Sequence, residues 1–238
     1  MGGECLGGWW ERPASRAVSE ADHDIVTAAV ATAEAHTSGE IVTVVAGKSN
    51  DYDDVALVWA SIIAFLAMSI VALFPEFYRG LYDRLTDGWG HELTANQWLG
   101  MVITFGVLKW IGVWLILLWR PLRMALTPRS IKAERVRARA IDLFKVGTEG
   151  KTTGRTGVLL YLSLKEHRAD IVADEAIAAK VKPGVWGDAM AALIERVRAG
   201  KPGEGMAEAV RQMGVVLAEH FPRGSENPNE LPDRLIEL

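Results

Sequence analysis

Two uncharged apolar runs dominate the pattern of hydrophobic and polar positions. Val55–Phe74 contains no charged side chain, and Trp98–Trp119 contains one, Lys109. Each is close to the roughly 20 residues that an α-helix needs to cross a hydrocarbon core. Transmembrane helices are therefore predicted over 55–74 and 98–119. Two crossings return the chain to the side it left, so the sequences flanking the hairpin are expected to share a compartment and fold together as one interrupted domain. In the connecting loop, 75–97, Phe77, Tyr78, Leu81, Tyr82 and Leu85 recur at helical spacing and predict a short amphipathic helix. Thr94 is placed to cap the second span.

The flanking pattern alternates helices and strands. Residues 1–18 read as a loose lead-in carrying Trp9, Trp10 and Pro13. The first part of the domain, 19–54, opens with a helix whose free amides Ser19 can cap, with Asp22 as its capping-box acid and Gly39 placed to end it. Glu40–Ala46, β-branched and nearly all apolar, predicts a strand buried on both faces. The second part, 120–222, begins with a basic helix to about Lys145 whose inward positions are Ile131, Val136, Ala140, Ile141 and Phe144. A central strand follows over Gly157–Leu164, then a tight turn with His167 at its exposed tip and an antiparallel partner strand over Ala169–Ala173. A short helix through Ala179, a helix over Val185–Ala199, a break at Gly200–Gly205 and a last helix to His220 complete it. In the tail, 223–238, Leu231, Leu235, Ile236 and Leu238 predict a terminus that docks.

Charge adds sidedness. Arg120, Arg123, Arg129, Lys132, Arg135, Arg137 and Arg139 follow the second span with Glu134 as the only acid among them, whereas Arg79 and Arg84 between the spans are outnumbered by Glu76, Asp83, Asp87 and Glu92. Cations favour the cytoplasmic side, so both termini are expected in the cytoplasm and the loop between the spans in the periplasm or exterior. The start has no basic region followed by a long apolar run, so nothing there is expected to export the first segment. A net charge of −4 argues against nucleic-acid binding. The single cysteine, Cys5, excludes an intramolecular disulfide and agrees with a reducing compartment.

The ordered set of helix, buried strand, basic amphipathic helix, Thr156-Gly157-Val158-Leu159-Leu160-Tyr161, Ile171-Val172-Ala173-Asp174, Ile177, Trp186 and Leu217-Ala218-Glu219-His220-Phe221-Pro222 resembles the TPM domain over roughly Ser19–Pro222 outside the spans. In particular it resembles the bacterial membrane-anchored form, related to thylakoid-lumen proteins of the same family. The resemblance implies a small α/β/α sandwich, here split by the inserted two-helix hairpin. It implies two functions of different kinds: an accessory protein that binds, assembles or maintains a larger membrane complex, such as a photosynthetic or respiratory one, and a membrane-anchored, metal-dependent acid phosphatase. Where the family usually carries a glycine two residues past the acid of the third strand, this chain has Ala176.

Candidate chemistry is sparse. Asp51, Asp53 and Asp54 follow the first strand, where α/β sheets form ligand crevices. Asp51 and Asp53, with Asp174 and Glu175, are the candidate oxygen ligands for a divalent cation such as Ca2+ or Mg2+. The plainer readings are a solvated turn and an N-cap, respectively. No cofactor is otherwise implied. Arg155 is expected to pair with a surface acid. Lys109 lies near the middle of its span, where an ammonium costs about 2.5–3.5 kcal/mol. It either extends along its own stem to the interface or meets a carboxylate or phosphate of another molecule, making the hairpin a contact surface for a partner complex or for self-association. Arg120, Arg123 and Arg129 are the candidate lipid-headgroup contacts. Gly100, Gly106 and Gly112 offer small faces for close helix packing.

Overall fold

A computed structural model describes residues 18–85, 94–149, 151–152, 154–224 and 230–238. The chain divides into two compact units: Met1–Asn50 with Ser130–Leu238, and Asp51–Arg129. The lead-in with Trp9 and Trp10 lies outside the described residues.

The first unit is a four-stranded sheet between helices. Its strands are β1 (Glu40–Ala46), β2 (Gly157–Ser163), β3 (Arg168–Ala173) and β4 (Ile236–Glu237), in spatial order β3-β2-β1-β4. β1 and β2 run parallel in unbroken register from Glu40↔Gly157 to Ala46↔Ser163, and β3 returns antiparallel to β2. Both central strands are buried along their whole length, as continuous apolar runs require when helices cover both faces.

Strand periodicity divides the core into two layers. Ile41, Val45, Val158, Leu160 and Leu162 pack with α1 (Glu20–Glu34), α7 (Glu175–Lys180), α8 (Gly187–Arg198) and α9 (Pro202–His220). Val42, Val44, Ala46, Leu159 and Tyr161 face α6 (Arg129–Gly147) through Val136, Ala140 and Phe144. The result is the expected α/β/α sandwich. Ile131 and Ile141 of α6 are only half-buried.

Local chemistry explains the helix starts. Ser19 Oγ accepts from the Asp22 amide at 3.1 Å and Asp22 Oδ2 accepts from the Ser19 amide at 2.9 Å, completing the capping box. The predicted helix stop at Gly39 is too late, because α1 ends at Glu34 with Ala35 as its cap. Gly39 instead leaves room for Leu217, whose Cδ1 would lie 3.3 Å from a Cβ there. The predicted break at Gly200–Gly205 is too long: α9 begins at Pro202. A Cβ on Gly203 would strike Asp22 Oδ1 at 2.2 Å and one on Gly205 would meet the Leu193 carbonyl at 3.0 Å. These glycines sit inside a helix for closeness of packing, not as a linker.

The tail docks as predicted. Leu231 enters one core layer and Leu235 the other, and β4 pairs parallel to β1 through Val44↔Ile236 and Val45↔Glu237.

The second unit holds α2 (Asp53–Leu73), α3 (Pro75–Leu85), α4 (Ala95–Leu117) and α5 (Arg120–Leu126). Helices α2 and α4 are each long and apolar enough to cross a membrane. Thr94 caps α4 with Gln97 in a second capping box. The amphipathic repeat between the spans forms α3, while residues 86–93 of that loop lie outside the described residues.

Candidate functional site

The hairpin unit is held by specific contacts. Gly106 is buried on α4, and a Cβ there would meet Met68 Sδ of α2 at 2.4 Å. The indole Nε1 of Trp110 donates to Ser61 Oγ at 3.2 Å, and Trp110 stacks on Trp114 with centroids 6.2 Å apart. Of the three glycines expected to pack, Gly106 does. Nothing lies within 4 Å of a Cβ at Gly100 or Gly112. Lys109 is exposed on α4, and its Nζ lies 5.2 Å from the Phe105 ring centroid.

The predicted headgroup arginines part company. Arg120 and Arg129 are exposed, but Arg123 is buried and its Nη1 donates to the Asp53 carboxylate. A buried guanidinium requires such a partner, so Arg123 is a structural cation of the hairpin base and not a headgroup contact. Its backbone carbonyl accepts from Thr127 Oγ1 at 2.8 Å.

The same ion pair bears on the metal candidates. Asp51 and Asp53 belong to the hairpin unit, Asp174 and Glu175 to the sheet unit. Asp53 is engaged by Arg123, and Glu175 faces Arg155 at 3.5 Å. Asp174 occupies the N-cap of α7 but makes no capping bond with its side chain. Its buried Oδ2 accepts from the Gly157 amide at 3.2 Å, while its own amide donates to the Gly157 carbonyl at 2.9 Å. Asp174 therefore clamps the end of β3 to the start of β2. Among the described residues, no three or more His, Cys, Asp or Glu side chains gather closely enough to hold a metal ion.

Two polar networks were not legible from sequence. At the carboxyl ends of β1 and β2, Ser49 Oγ lies 3.0 Å from Tyr161 Oη, and the Ser49 amide donates to Glu166 Oε1 at 3.0 Å. Ser163 Oγ donates to the other oxygen of Glu166. Burial pushes the Tyr161 phenol up from its ordinary value. His167, predicted as an exposed tip, is half-buried with a left-handed φ of 48°. Burial, helped by the nearby cation Arg198, lowers its affinity for a proton.

The second network lies at the start of β1. Glu34 Oε1 accepts from the Ile41 amide at 2.7 Å, and Glu40 Oε2 accepts from the Leu231 amide at 3.3 Å. Both side chains are buried. Burial is the main reason that Glu34 is pushed up to about 8, and the nearby Glu40 and Asp233 add to it. Glu40 is raised for the same leading reason. Neither acid carries a sequence motif. Glu40 takes its partner from the tail, far along the chain.

The sheet unit thus defines an α/β/α domain interrupted by an apolar hairpin. Its second sequence segment matches the TPM-domain family over residues 122–216. The match starts within α5 and does not include α1 and β1, which the structure nevertheless packs into the same unit. The solved structure of BA42 protein from the psychrophilic bacterium Bizionia argentinensis is similar in fold, with a TM-score of 0.52 at 16% identity, covering 93% of this chain and 95% of that one. No curated protein matches the chain in sequence.

Proposed function

We propose that this chain is a membrane-anchored accessory protein that binds, assembles or maintains a larger membrane protein complex. Its TPM domain stands at the cytoplasmic face of a bacterial inner membrane. α2 and α4 are the anchor, and the face of α4 bearing Lys109 meets the complex. Lys109 carries the reading. Its ammonium is exposed near the middle of a helix otherwise fit for lipid, where it costs about 2.5–3.5 kcal/mol. The Phe105 ring offsets about 0.5–2 kcal/mol of that. The remainder favours an acidic group supplied from outside the chain.

Purification in a mild detergent tests the proposal. The wild-type chain should bring down a stoichiometric membrane partner, and Lys109→Leu should release it while the chain stays in the membrane fraction. Recovery of the chain alone, or a partner equally retained by Lys109→Leu, would refute it.

A further inference from the structure

Helix α3, within the hairpin unit, carries an apolar face that is exposed among the described residues. Phe77, Leu81 and Leu85 are four residues apart and form one stripe, and Phe74, just before the helix, falls in the same arc. All four are exposed, Phe77 at 68% and Leu85 at 78%, and no residue of α3 is buried. Glu76 and Asp83 lie on the far side of the helix from this arc. Arg84, also exposed, borders it. Tyr78 and Tyr82, one turn apart, are half-buried, and Phe77 meets the Tyr78 ring edge-on with centroids 5.3 Å apart.

The position of α3 in the chain selects what meets this face. α2, long and apolar enough to cross a membrane, ends at Leu73. Phe74 leaves helical geometry at φ −122° and ψ 54°, and Pro75 opens α3. Proline has no amide to continue the helix and holds the residue before it out of the α region, so the chain bends where the apolar run of α2 stops. On its polar side, Arg79 meets Glu76 Oε1 at 3.4 Å and lies 5.4 Å from the ring centroid of Trp98, in the first turn of α4. α3 is thereby tied to the mouth of the second apolar helix through an aromatic of the kind favoured at headgroup depth. Its two cations, Arg79 and Arg84, balance its two acids, so apolar area and not net charge is what it offers a surface.

We propose that α3 lies in the boundary between lipid headgroups and acyl chains, with Phe74, Phe77, Leu81 and Leu85 seated among the chains. Glu76 and Asp83 then face water, and Arg84 stands at the rim within reach of lipid phosphate. The occupant of the face is lipid. This seating requires α2 and α4 to cross the bilayer, as the proposed function does, but it requires no partner at Lys109.

Spin labelling of the full-length chain, reconstituted in phosphatidylcholine vesicles, tests the seating. The background is Cys5→Ser, which removes the only native thiol. Nitroxides are attached singly at Leu81→Cys, Leu85→Cys, Glu76→Cys and Asp83→Cys, all at exposed positions, and at Ile62→Cys on the exposed side of α2 as a reporter of the span. Oxygen concentrates among acyl chains and a nickel chelate stays in water. The ratio of collisions with the two should be on the order of tenfold higher at 81 and 85 than at 76 and 83. Equal ratios at all four positions, with 62 still in lipid, would overturn the seating of α3 and leave the spans standing. Few collisions with either reagent at 81 and 85 would mean cover by protein, a second copy or a partner, and would overturn it as well. A water-like ratio at 62 would overturn the crossing by α2 and the seating with it.

Discussion

Arg123 and Asp53 join the two ends of the hairpin, the guanidinium reaching back from α5 to the first turn of α2. Only 7% of the Arg123 side chain is exposed, against 73% for Asp53. The pair is therefore asymmetric, with the arginine needing the aspartate more than the reverse. Asp53→Ala should destabilise the hairpin by about 1–3 kcal/mol, because it leaves a buried cation without its acceptor. Arg123→Met in the same background should recover part of that loss. A double-mutant cycle on the thermal midpoint in detergent reads the coupling.

The glycines of α4 should differ sharply. Gly106→Leu must displace Met68 and should cost about 1–3 kcal/mol through overpacking. Gly100→Ala and Gly112→Ala, with open space at both positions, should be neutral or slightly stabilising. Thermal unfolding of the three variants side by side checks this order.

A similar contrast holds in the sheet unit. A Cβ on Gly214 of α9 would lie 2.6 Å from Ala33 Cβ and 3.1 Å from Ala33 Cα, while one on Gly187 meets nothing within 4 Å. Gly214→Ala should force α1 and α9 apart and lower stability by about 1–3 kcal/mol. Gly187→Ala should leave the thermal midpoint within about 2 °C of wild type.

Stability should fall as pH rises because of Glu34. Its folded-state value, about 8, lies above the ordinary 4.5, so the unfolded chain releases this proton first. The contribution is fully present below pH 4.5, declines by about 1.4 kcal/mol per pH unit above it, and levels off beyond pH 8. Glu34→Gln should remove this slope, so that the variant gains on the wild type as pH rises. Thermal midpoints from pH 5 to pH 9 provide the measurement.

What the sequence made legible was local. The capping boxes at Ser19 and Thr94 depend on residues three apart, and β1 and β2 announce themselves by uninterrupted β-branched and apolar side chains. The apolar helices follow from length and composition alone. What escaped depends on distant contacts. Gly203 and Gly205 look like a linker until Asp22 and Leu193 are placed against them. Arg123 looks like one more cation in a basic run until Asp53 is found beside it. Asp174 has the right residue type and position for an N-cap, yet the Gly157 amide, 17 residues earlier, captures its carboxylate. Glu34 belongs to no motif, and nothing near it in the chain foretells its burial.

The pairing of Glu40 with Gly157 and of Ala46 with Ser163 imposes an order on biosynthesis. During translation β1 emerges well ahead of either neighbour in the sheet and must wait, unbonded along both edges, while the whole hairpin is made. Such a delay is where long-range parallel pairing is slow and prone to misassociation. Cells making this protein therefore need to shelter one nascent strand until its mate leaves the ribosome.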